Sequence, residues 1–251
     1  MRVLITGASS GIGKSIALEY GRLGYDLVLV ARDKKKLEDV KKSISEDINI
    51  EICAMDLKDI NNCYKLFDKY KDINILINNA GFGDFGEFVN SDINKELDMI
   101  DTNIRAMHIL LKLYLKEMVK RESGSILTVA SIAGFMPGPL MSTYYASKNY
   151  VVRLNEAVRE ELRRKKSNVR VSILCPGPVK TNFDDVANVK FSLKGMSSDY
   201  VAKYAIKCMN SGKFYIIPGF KIKMLRLGSK ILPSSIMARM VYNSQKRKDS
   251  V

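Results

Sequence analysis

The chain has 251 residues and a formal net charge of +14, from 41 basic and 27 acidic side chains. Its length suits one large α/β domain with a well-buried core, and 46% hydrophobic with 27% charged residues is typical of a soluble globular protein. No apolar run approaches the roughly 18 residues that cross a bilayer, and no signal-peptide pattern is recognisable. These properties argue against a membrane-spanning or secreted protein and favour a cytoplasmic one.

The first predicted strand, residues 3–5, leads into a glycine-rich stretch at 6–13 and then a helical pattern from Lys14. Glycines let the backbone turn sharply and approach a ligand, and the start of a helix offers unpaired N–H groups to a pyrophosphate. The strand before and the helix after this stretch favour a dinucleotide-binding loop over a plain tight turn.

The second predicted strand, residues 27–31, ends at Arg32. An acidic residue there would bind ribose hydroxyls and favour NAD, whereas an arginine can pair with a 2′-phosphate and favours NADP. The neighbouring Asp33 can turn inward, and Lys14 adds positive charge near the phosphates. The sequence therefore favours NADPH, with NAD as the alternative; Arg32 facing water is the third interpretation.

Further polar groups follow the third and fourth strands, predicted at 50–54 and 73–77 on either side of a helix at 62–70; a charged helix at 34–46 precedes them. Asp56 can accept a hydrogen bond from an adenine amino group or can cap the next helix. The small residues at 78–81 leave room for a cofactor ribose.

A long helix is predicted over 94–118, with the polar Asn103 inside its apolar pattern, either exposed or functional. The helix also contains His108, the single histidine. The four cysteines lack metal-ligand spacing. The cysteines are Cys53, Cys63, Cys175 and Cys208. We therefore expect them to be reduced, and we expect no bound metal.

Ser131, Tyr144 and Lys148 form the central pattern of the chain. Ser131 ends an apolar run at 126–130, so its hydroxyl is expected at the carboxyl edge of a buried strand, where open α/β sheets bind ligands. Tyr144 and Lys148 are one helical turn apart, and a nearby ammonium lowers the pKa of a phenol. A phenol tuned in this way can donate a proton to a substrate oxygen near neutral pH.

The same spacing recurs at Ser229, Tyr242 and Lys246. Pro233 interrupts that segment, no strand is predicted to end at Ser229, and no cofactor loop precedes it. We interpret the second set as coincidence, so the context of Ser131 decides its significance.

The predicted elements between residues 170 and 218 complete the fold. A sixth strand at 170–175 ends in the stretch 176–181; a polar segment at 182–198 is either a lid over a substrate or an ordinary loop. A helix at 198–210 and a seventh strand at 215–218 follow. Alternating strands and helices predict a Rossmann-type, doubly wound α/β fold: about seven parallel strands with helices on both faces.

Residues 220–251 carry half of the excess positive charge, a balance of +7 from eight basic residues and Asp249. From Ser234, apolar residues fall on one helical face opposite Arg239; they are Ile236, Met237, Met240 and Val241. Such a basic, apolar segment suits an anionic membrane surface, or else packs on the core or on a second subunit. No nucleic-acid-binding module accompanies the charge.

These motifs, in this order and at these separations, closely resemble the short-chain dehydrogenase/reductase family in its common single-domain form. The resemblance covers residues 1 to about 219 and rests on 6–13, 78–81, Asn103, Ser131, 144–148 and 176–181. It implies a dinucleotide-binding oxidoreductase domain at 1–219 with a C-terminal extension at 220–251. It further implies a homodimer through the helices of Asn103 and Tyr144; a homotetramer is left open because the extension departs from the family pattern.

The resemblance also implies roles for individual residues. Tyr144 is the general acid, Lys148 lowers its pKa and holds the nicotinamide ribose, Ser131 orients the substrate carbonyl, and Asn103 supports a water-linked proton path to Lys148. The positions that match cofactor contacts are Gly7, Ser9, Ser10, Gly11, Ile12, Arg32, Asp56, Leu57, Asn79, Ala80, Gly81, Tyr144, Lys148, Pro176, Gly177, Val179 and Thr181.

Three functions follow as hypotheses. The first is an NADPH-dependent oxidoreductase that reduces a carbonyl to an alcohol, or the reverse. The second is a cofactor-binding regulatory protein without significant turnover. The third is a membrane-peripheral reductase of a lipidic substrate. Substrate identity depends on the loop at 134–142, on 182–198 and on the extension, which the sequence patterns do not resolve.

Overall fold

Seven parallel strands form the central sheet of the protein, which the computed structural model describes over residues 1–44, 47–181 and 195–246. The sheet strands are β1 (Arg2–Thr6), β2 (Asp26–Ala31), β3 (Ile50–Ala54), β4 (Ile75–Asn78), β5 (Ser125–Val129), β6 (Arg170–Leu174) and β9 (Tyr215–Ile216), and two further short strands are β7 (Val179–Lys180) and β8 (Met196–Ser197). The sheet order is β3-β2-β1-β4-β5-β6-β9, and β7 and β8 form a separate parallel pair. The predicted fold is confirmed.

Helices lie on both faces of this sheet. They are α1 (Gly11–Arg22), α2 (Lys34–Lys42), α3 (Ile60–Lys69), α4 (Ile93–Ile100), α5 (Met107–Lys120), α6 (Ser142–Arg164), α7 (Ser198–Asn210), α8 (Phe220–Ile231) and α9 (Ser234–Lys246). Short 3₁₀ turns occupy Phe88–Asn90 and Ile132–Phe135. None of the helices in the described ranges is both long and apolar enough to cross a membrane.

The alternation of side chains along β1 divides the core in two. Leu4 faces one cluster, which includes Leu110 of α5 and Val151 of α6. Val3 and Ile5 face the other, on the side of α1, α2 and α7. All three β1 residues are fully buried. Burial on both faces explains why this strand reads as a continuous apolar run.

The strand order reverses between β1 and β4, because the chain crosses over the sheet after β3. In open α/β sheets a ligand binds at this kind of switch point, outside the carboxyl ends of the strands. Thr6 connects the two strand ends. Its Oγ1 accepts hydrogen bonds from the backbone N–H groups of Asn79 and Ala80, each at 2.9 Å.

The predicted helix over 94–118 is one helical segment in three parts. The π-helical turn Asp101–Ala106 separates α4 from α5. The predicted helix at 34–46 ends earlier, at Lys42, and residues 45–46 lie outside the described residues. Most of the segment at 182–198 also lies outside them, so the lid hypothesis stays a prediction; β8 forms its described end.

Candidate active site

A cavity of about 770 Å³ lies at the carboxyl ends of the strands, at the switch point. Every predicted cofactor-binding residue borders it: Gly7, Ser9, Ser10, Gly11, Ile12, Arg32, Asp56, Leu57, Asn79, Ala80, Gly81, Tyr144, Lys148, Pro176, Gly177, Val179 and Thr181. Ser131 borders it as well. The structure thus brings these residues together in space, whereas Asn103 is not among the described lining residues. The contact that each residue makes with a ligand stays a prediction.

The glycine-rich stretch wraps closely around the start of α1. Gly7 has a φ of 66°, in the region that favours glycine. A Cβ at Gly13 would lie 2.2 Å from the carbonyl oxygen of Gly7 and 2.5 Å from Asn79 Nδ2. Ser10 precedes the helix without capping it through its side chain. The first backbone N–H groups of α1 are therefore suited to an anion at the cavity wall.

Ser131 and Tyr144 border the cavity from two neighbouring elements. Ser131 follows β5, and its Oγ accepts a hydrogen bond from the backbone N–H of Ala133 at 3.2 Å, which fixes the 3₁₀ turn after the strand. Tyr144 lies in the first turn of α6. A hydrogen bond joins the two side chains. The strand end and the helix start thus present two hydroxyl groups together.

Lys148 is buried one turn after Tyr144, with 5% of its surface exposed. Its Nζ donates to the backbone carbonyl of Val129 at 3.1 Å and lies 5.8 Å from the centre of the Tyr144 ring. Burial lowers the pKa of Lys148 to about 8, because an apolar environment disfavours the charged form.

Asn103 is 1% exposed and lies in the π-helical turn, so the exposed interpretation is wrong. Its Oδ1 accepts from the N–H of Phe82 at 3.0 Å, and its Nδ2 donates to the Phe82 carbonyl at 2.8 Å and to Ser147 Oγ at 3.1 Å. Ser147 Oγ donates in turn to the Tyr144 carbonyl at 2.7 Å. Asn103 therefore connects the segment after β4 to the helix of Tyr144, and its predicted catalytic role stays a prediction.

Comparison with known proteins identifies the family to which this chain belongs. Residues 1–190 match the family model described as short chain dehydrogenase. The chain belongs to the short-chain dehydrogenase/reductase family. It is therefore an oxidoreductase of that family, as predicted.

Individual relatives match most of the chain. Human very-long-chain 3-oxoacyl-CoA reductase is 33% identical over 97% of this chain and 79% of that protein. A Drosophila melanogaster protein named dehydrogenase/reductase SDR family protein 7-like is 29% identical over 96% of this chain and 74% of its own length. A solved short-chain dehydrogenase from Sphingobium yanoikuyae, in complex with NADPH, is 30% identical with a TM-score of 0.82, over 92% of this chain and 95% of that one. The chain spans only 60% and 50% of two other relatives.

In this short-chain dehydrogenase/reductase site, the prediction that the pKa of Tyr144 is lowered is wrong. The pKa of Tyr144 is raised above its ordinary value, chiefly by burial, although the hydrogen bond from Ser131 opposes this. Burial also disfavours the ammonium of Lys148, which donates to Val129. The phenol and the amine are thus both shifted toward their neutral forms.

At the far end of the cavity, Arg32 is joined by Lys36, which the sequence analysis did not single out; Lys14 is not among the described lining residues. Asp33 caps α2, since its carboxylate accepts from the N–H of Lys36 at 3.0 Å and pairs with Lys36 Nζ at 3.7 Å. That backbone hydrogen bond is the main cause of the lowered pKa of Asp33. The carboxylate of Asp33 therefore caps its own helix, and Arg32 and Lys36 provide the positive charge at this end of the cavity.

Asp56 borders the cavity without capping α3, contrary to the helix-cap interpretation. Its Oδ1 accepts from the N–H of Lys58 at 3.1 Å, within the turn after β3. The cap of α3 is Asp59, whose Oδ1 accepts from the N–H of Asn61 at 3.0 Å.

The opposite end of the cavity is closed by residues that were not predicted from the sequence. Tyr145 borders it, and its hydroxyl accepts a hydrogen bond from Gln245 Nε2 of α9 at 2.9 Å. Met237, 3% exposed, also borders it, as do Ile222 and Leu225 of α8. The apolar pattern from Ser234 pointed to an amphipathic helix, but nothing local in the sequence indicated which surface it covers.

The second Ser–Tyr–Lys set has no comparable surroundings. Ser229 lies within α8, where its Oγ donates to the carbonyl of Arg226 at 2.8 Å. Tyr242 and Lys246 lie on α9 and do not border the cavity. As predicted, no strand ends at Ser229.

Proposed function

We propose that the protein is an NADPH-dependent oxidoreductase that reduces a carbonyl compound to an alcohol, or catalyses the reverse, with Tyr144 as general acid or base. The observation that supports this is the arrangement of one cavity. The hydrogen-bonded pair Ser131 and Tyr144, with Lys148 behind it, forms one wall, and the start of α1 forms another.

The described residues fit a nicotinamide dinucleotide. The N–H groups at the start of α1 suit a pyrophosphate, and Gly13 leaves no room there for a side chain. Arg32 and Lys36 suit a 2′-phosphate. We expect Lys148, which borders the cavity, to donate to ribose hydroxyls. When bound, the reduced nicotinamide supplies a hydride. The NADPH complex of the Sphingobium yanoikuyae relative supports this choice of cofactor.

The side chains of this protein account for the proton. A tyrosine phenol carries its proton at neutral pH, and burial favours this neutral form of Tyr144 further by raising its pKa. It can therefore donate to a carbonyl oxygen on which negative charge develops, and the hydroxyl of Ser131 can stabilise the same oxygen. Lys148, with a pKa of about 8, is predominantly protonated at pH 7 and stabilises the tyrosinate that remains. Asn103 holds the helix that carries both groups.

The substitution Tyr144→Phe tests this assignment. We expect the rate of carbonyl reduction to fall by about 10²–10⁴-fold, the usual contribution of a general acid, with NADPH affinity changed little. Stopped-flow single turnovers and fluorescence titration with NADPH measure the two quantities. Tyr150→Phe on the same helix is the matched control, since Tyr150 is 39% exposed and bonded to His108.

Two results would overturn the proposal. Undiminished reduction by the Tyr144→Phe protein would remove Tyr144 from the chemistry. Tight NADPH binding by the parent protein without turnover on any panel of ketones and aldehydes would favour a regulatory protein instead.

A further inference from the structure

The outer face of α8 carries a stripe of exposed apolar side chains. Phe220, Met224, Leu227 and Ile231 are spaced by four, three and four residues, so they share one helical face. They are 76%, 49%, 51% and 74% exposed. An amphipathic helix of a globular protein normally buries such a stripe against the core. Here the four side chains, which we call the outer stripe, point away from it.

The other face of α8 is what packs on the protein. A Cβ at Gly177 would lie 2.4 Å from Ile222 Cδ1, so that side chain fills the space beside the loop after β6. The guanidinium of Arg226 lies 3.6 Å above the ring of Tyr215 and 5.0 Å from that of Phe135. These contacts fix the rotation of the helix, and they hold the outer stripe toward the solvent.

The charge around the outer stripe has one sign. Residues 220–246 contain lysines and arginines but no aspartate or glutamate. With about 100° between successive helical residues, Lys223 and Lys230 flank one edge of the stripe and Lys221 flanks the other. All three lysines are exposed. Two cationic edges around an apolar centre are complementary to an anionic bilayer, with acyl chains beneath a layer of phosphate groups.

We propose that α8 docks the protein on an anionic membrane surface, with the outer stripe in the headgroup region and the three lysines on lipid phosphates. A helix of twelve residues is about 18 Å long and would lie in the plane of the interface. Contiguous exposed apolar surface of this kind marks interaction sites on otherwise polar proteins. The docking does not depend on the proposed reductase activity.

Docking also has a consequence for how a substrate enters the cavity. Unlike the docking itself, this consequence rests on the proposed function. Leu225 of α8 and Met240 of α9 border the cavity and are 38% and 50% exposed, so they form part of its rim. A protein docked through α8 would hold this rim near the lipid. An amphiphilic carbonyl compound dissolved in the bilayer would then enter between α8 and α9.

Vesicle flotation of the full chain tests the docking itself. We expect the protein to float with vesicles of phosphatidylcholine and phosphatidylserine, and to float far less with phosphatidylcholine alone. Leu227→Glu/Ile231→Glu should lower the partition coefficient at least about tenfold, and each lysine-to-glutamine change at Lys221, Lys223 or Lys230 should lower it about fivefold. Phe88→Glu/Val89→Glu is the matched control, because these side chains are 65% and 83% exposed outside α8.

The outcomes separate docking from catalysis and from self-association. None of the four substituted apolar residues borders the cavity, so reduction of a small water-soluble ketone should be unchanged and reports correct folding. Equal flotation of the Leu227→Glu/Ile231→Glu and parent proteins, or no flotation of the parent, would overturn the proposal. So would a fall in mass by light scattering for Leu227→Glu/Ile231→Glu without loss of flotation, since the stripe would then bind a second copy.

Discussion

At the scale of single residues, the proposed chemistry depends on burial more than on the pairing of opposite charges. Tyr144 and Lys148 are shifted toward their neutral forms by the same apolar surroundings. A neutral phenol is what a general acid must be before it reacts. The hydroxyl of Ser131 then provides a hydrogen bond that favours the phenolate. The site therefore keeps the proton in place until a substrate oxygen becomes basic enough to take it.

The shifted pKa of Lys148 predicts a measurable effect on stability. A lysine has an ordinary pKa of 10.5 and here titrates at about 8 in the folded protein. Below pH 8 the buried ammonium destabilises the fold; this penalty disappears as the pH rises from about 8 toward 10.5. We expect Lys148→Met to raise the melting temperature at pH 7, and the gain to shrink toward pH 10.

Differential scanning fluorimetry over this pH range measures the effect. Lys116→Met, an exposed position on α5, is the control and should show no such pH-dependent gain. A Lys148→Met protein that is less stable than the parent at pH 7 would contradict the predicted burial cost.

Arg32 offers a test of cofactor choice. If Arg32 pairs with a 2′-phosphate, Arg32→Ala should raise the KM for NADPH by about 10–100-fold, the size of one charge-assisted hydrogen bond. The KM for NADH should change little. Steady-state kinetics with both cofactors gives the ratio. Lys35→Ala, exposed and outside the described cavity lining, is the control; equal effects on both cofactors would contradict the proposed contact.

The order of residues along the chain was sufficient to predict the members of the site but not their electrostatics. Ser131 borders the cavity because the ends of parallel strands meet at one edge of the sheet, and Tyr144 and Lys148 border it from one face of α6. The periodicity of the sequence is sufficient to predict both elements. The pKa of Tyr144 instead depends on burial by side chains distant in the sequence. The partners of Asn103 are likewise set by tertiary contacts.

At the scale of elements, the π-helical turn Asp101–Ala106 is the feature that sequence periodicity could not show. One apolar pattern runs through α4, the turn and α5, because the turn lengthens the helical segment without ending it. Turns of this kind often occur at functional sites. Here the turn carries Asn103, which bonds to Phe82 and Ser147 on either side.

The start of α1 is a second element whose geometry is demanding. A Cβ at Gly13 would meet backbone and amide atoms at 2.2 and 2.5 Å, so the helix and the loop cannot both keep their positions. We expect Gly13→Ala to cost about 1–3 kcal/mol of stability and to weaken NADPH binding at least about tenfold. Chemical denaturation and fluorescence titration measure these changes.

Gly228 provides the matched control, because it also lies in a helix but has open space around it. Gly228→Ala should be neutral or slightly stabilising, since alanine favours helix more than glycine does. Parent-like stability and NADPH affinity in the Gly13→Ala protein would mean that the loop can move away.

At the scale of the whole molecule, the sheet ends with β9 and the buried residues of both core clusters end by Ile217, yet the C-terminal helices also contribute to the site. Met237 is 3% exposed, Gln245 bonds to Tyr145, and Arg226 stacks on Tyr215. The sequence predicts a domain boundary at residue 219 and leaves open what the extension packs on. In the structure its inner face covers one end of the cavity.

A chain ending at Gly219 tests how far that boundary is real. Because every strand of the sheet lies before it, we expect this protein to fold and to bind NADPH. It would lose the burial of Ile222 and Met237, which predicts a fall in melting temperature on the order of 10 °C. The KM for a carbonyl substrate should rise more than kcat falls, because the lost residues line the cavity without belonging to the Ser131, Tyr144 and Lys148 set. Circular dichroism measures the folding of the shortened chain, and an unfolded chain would show that the extension is part of the domain. Steady-state kinetics measures the KM, and an unchanged KM would show that the helices do not shape the substrate end of the cavity.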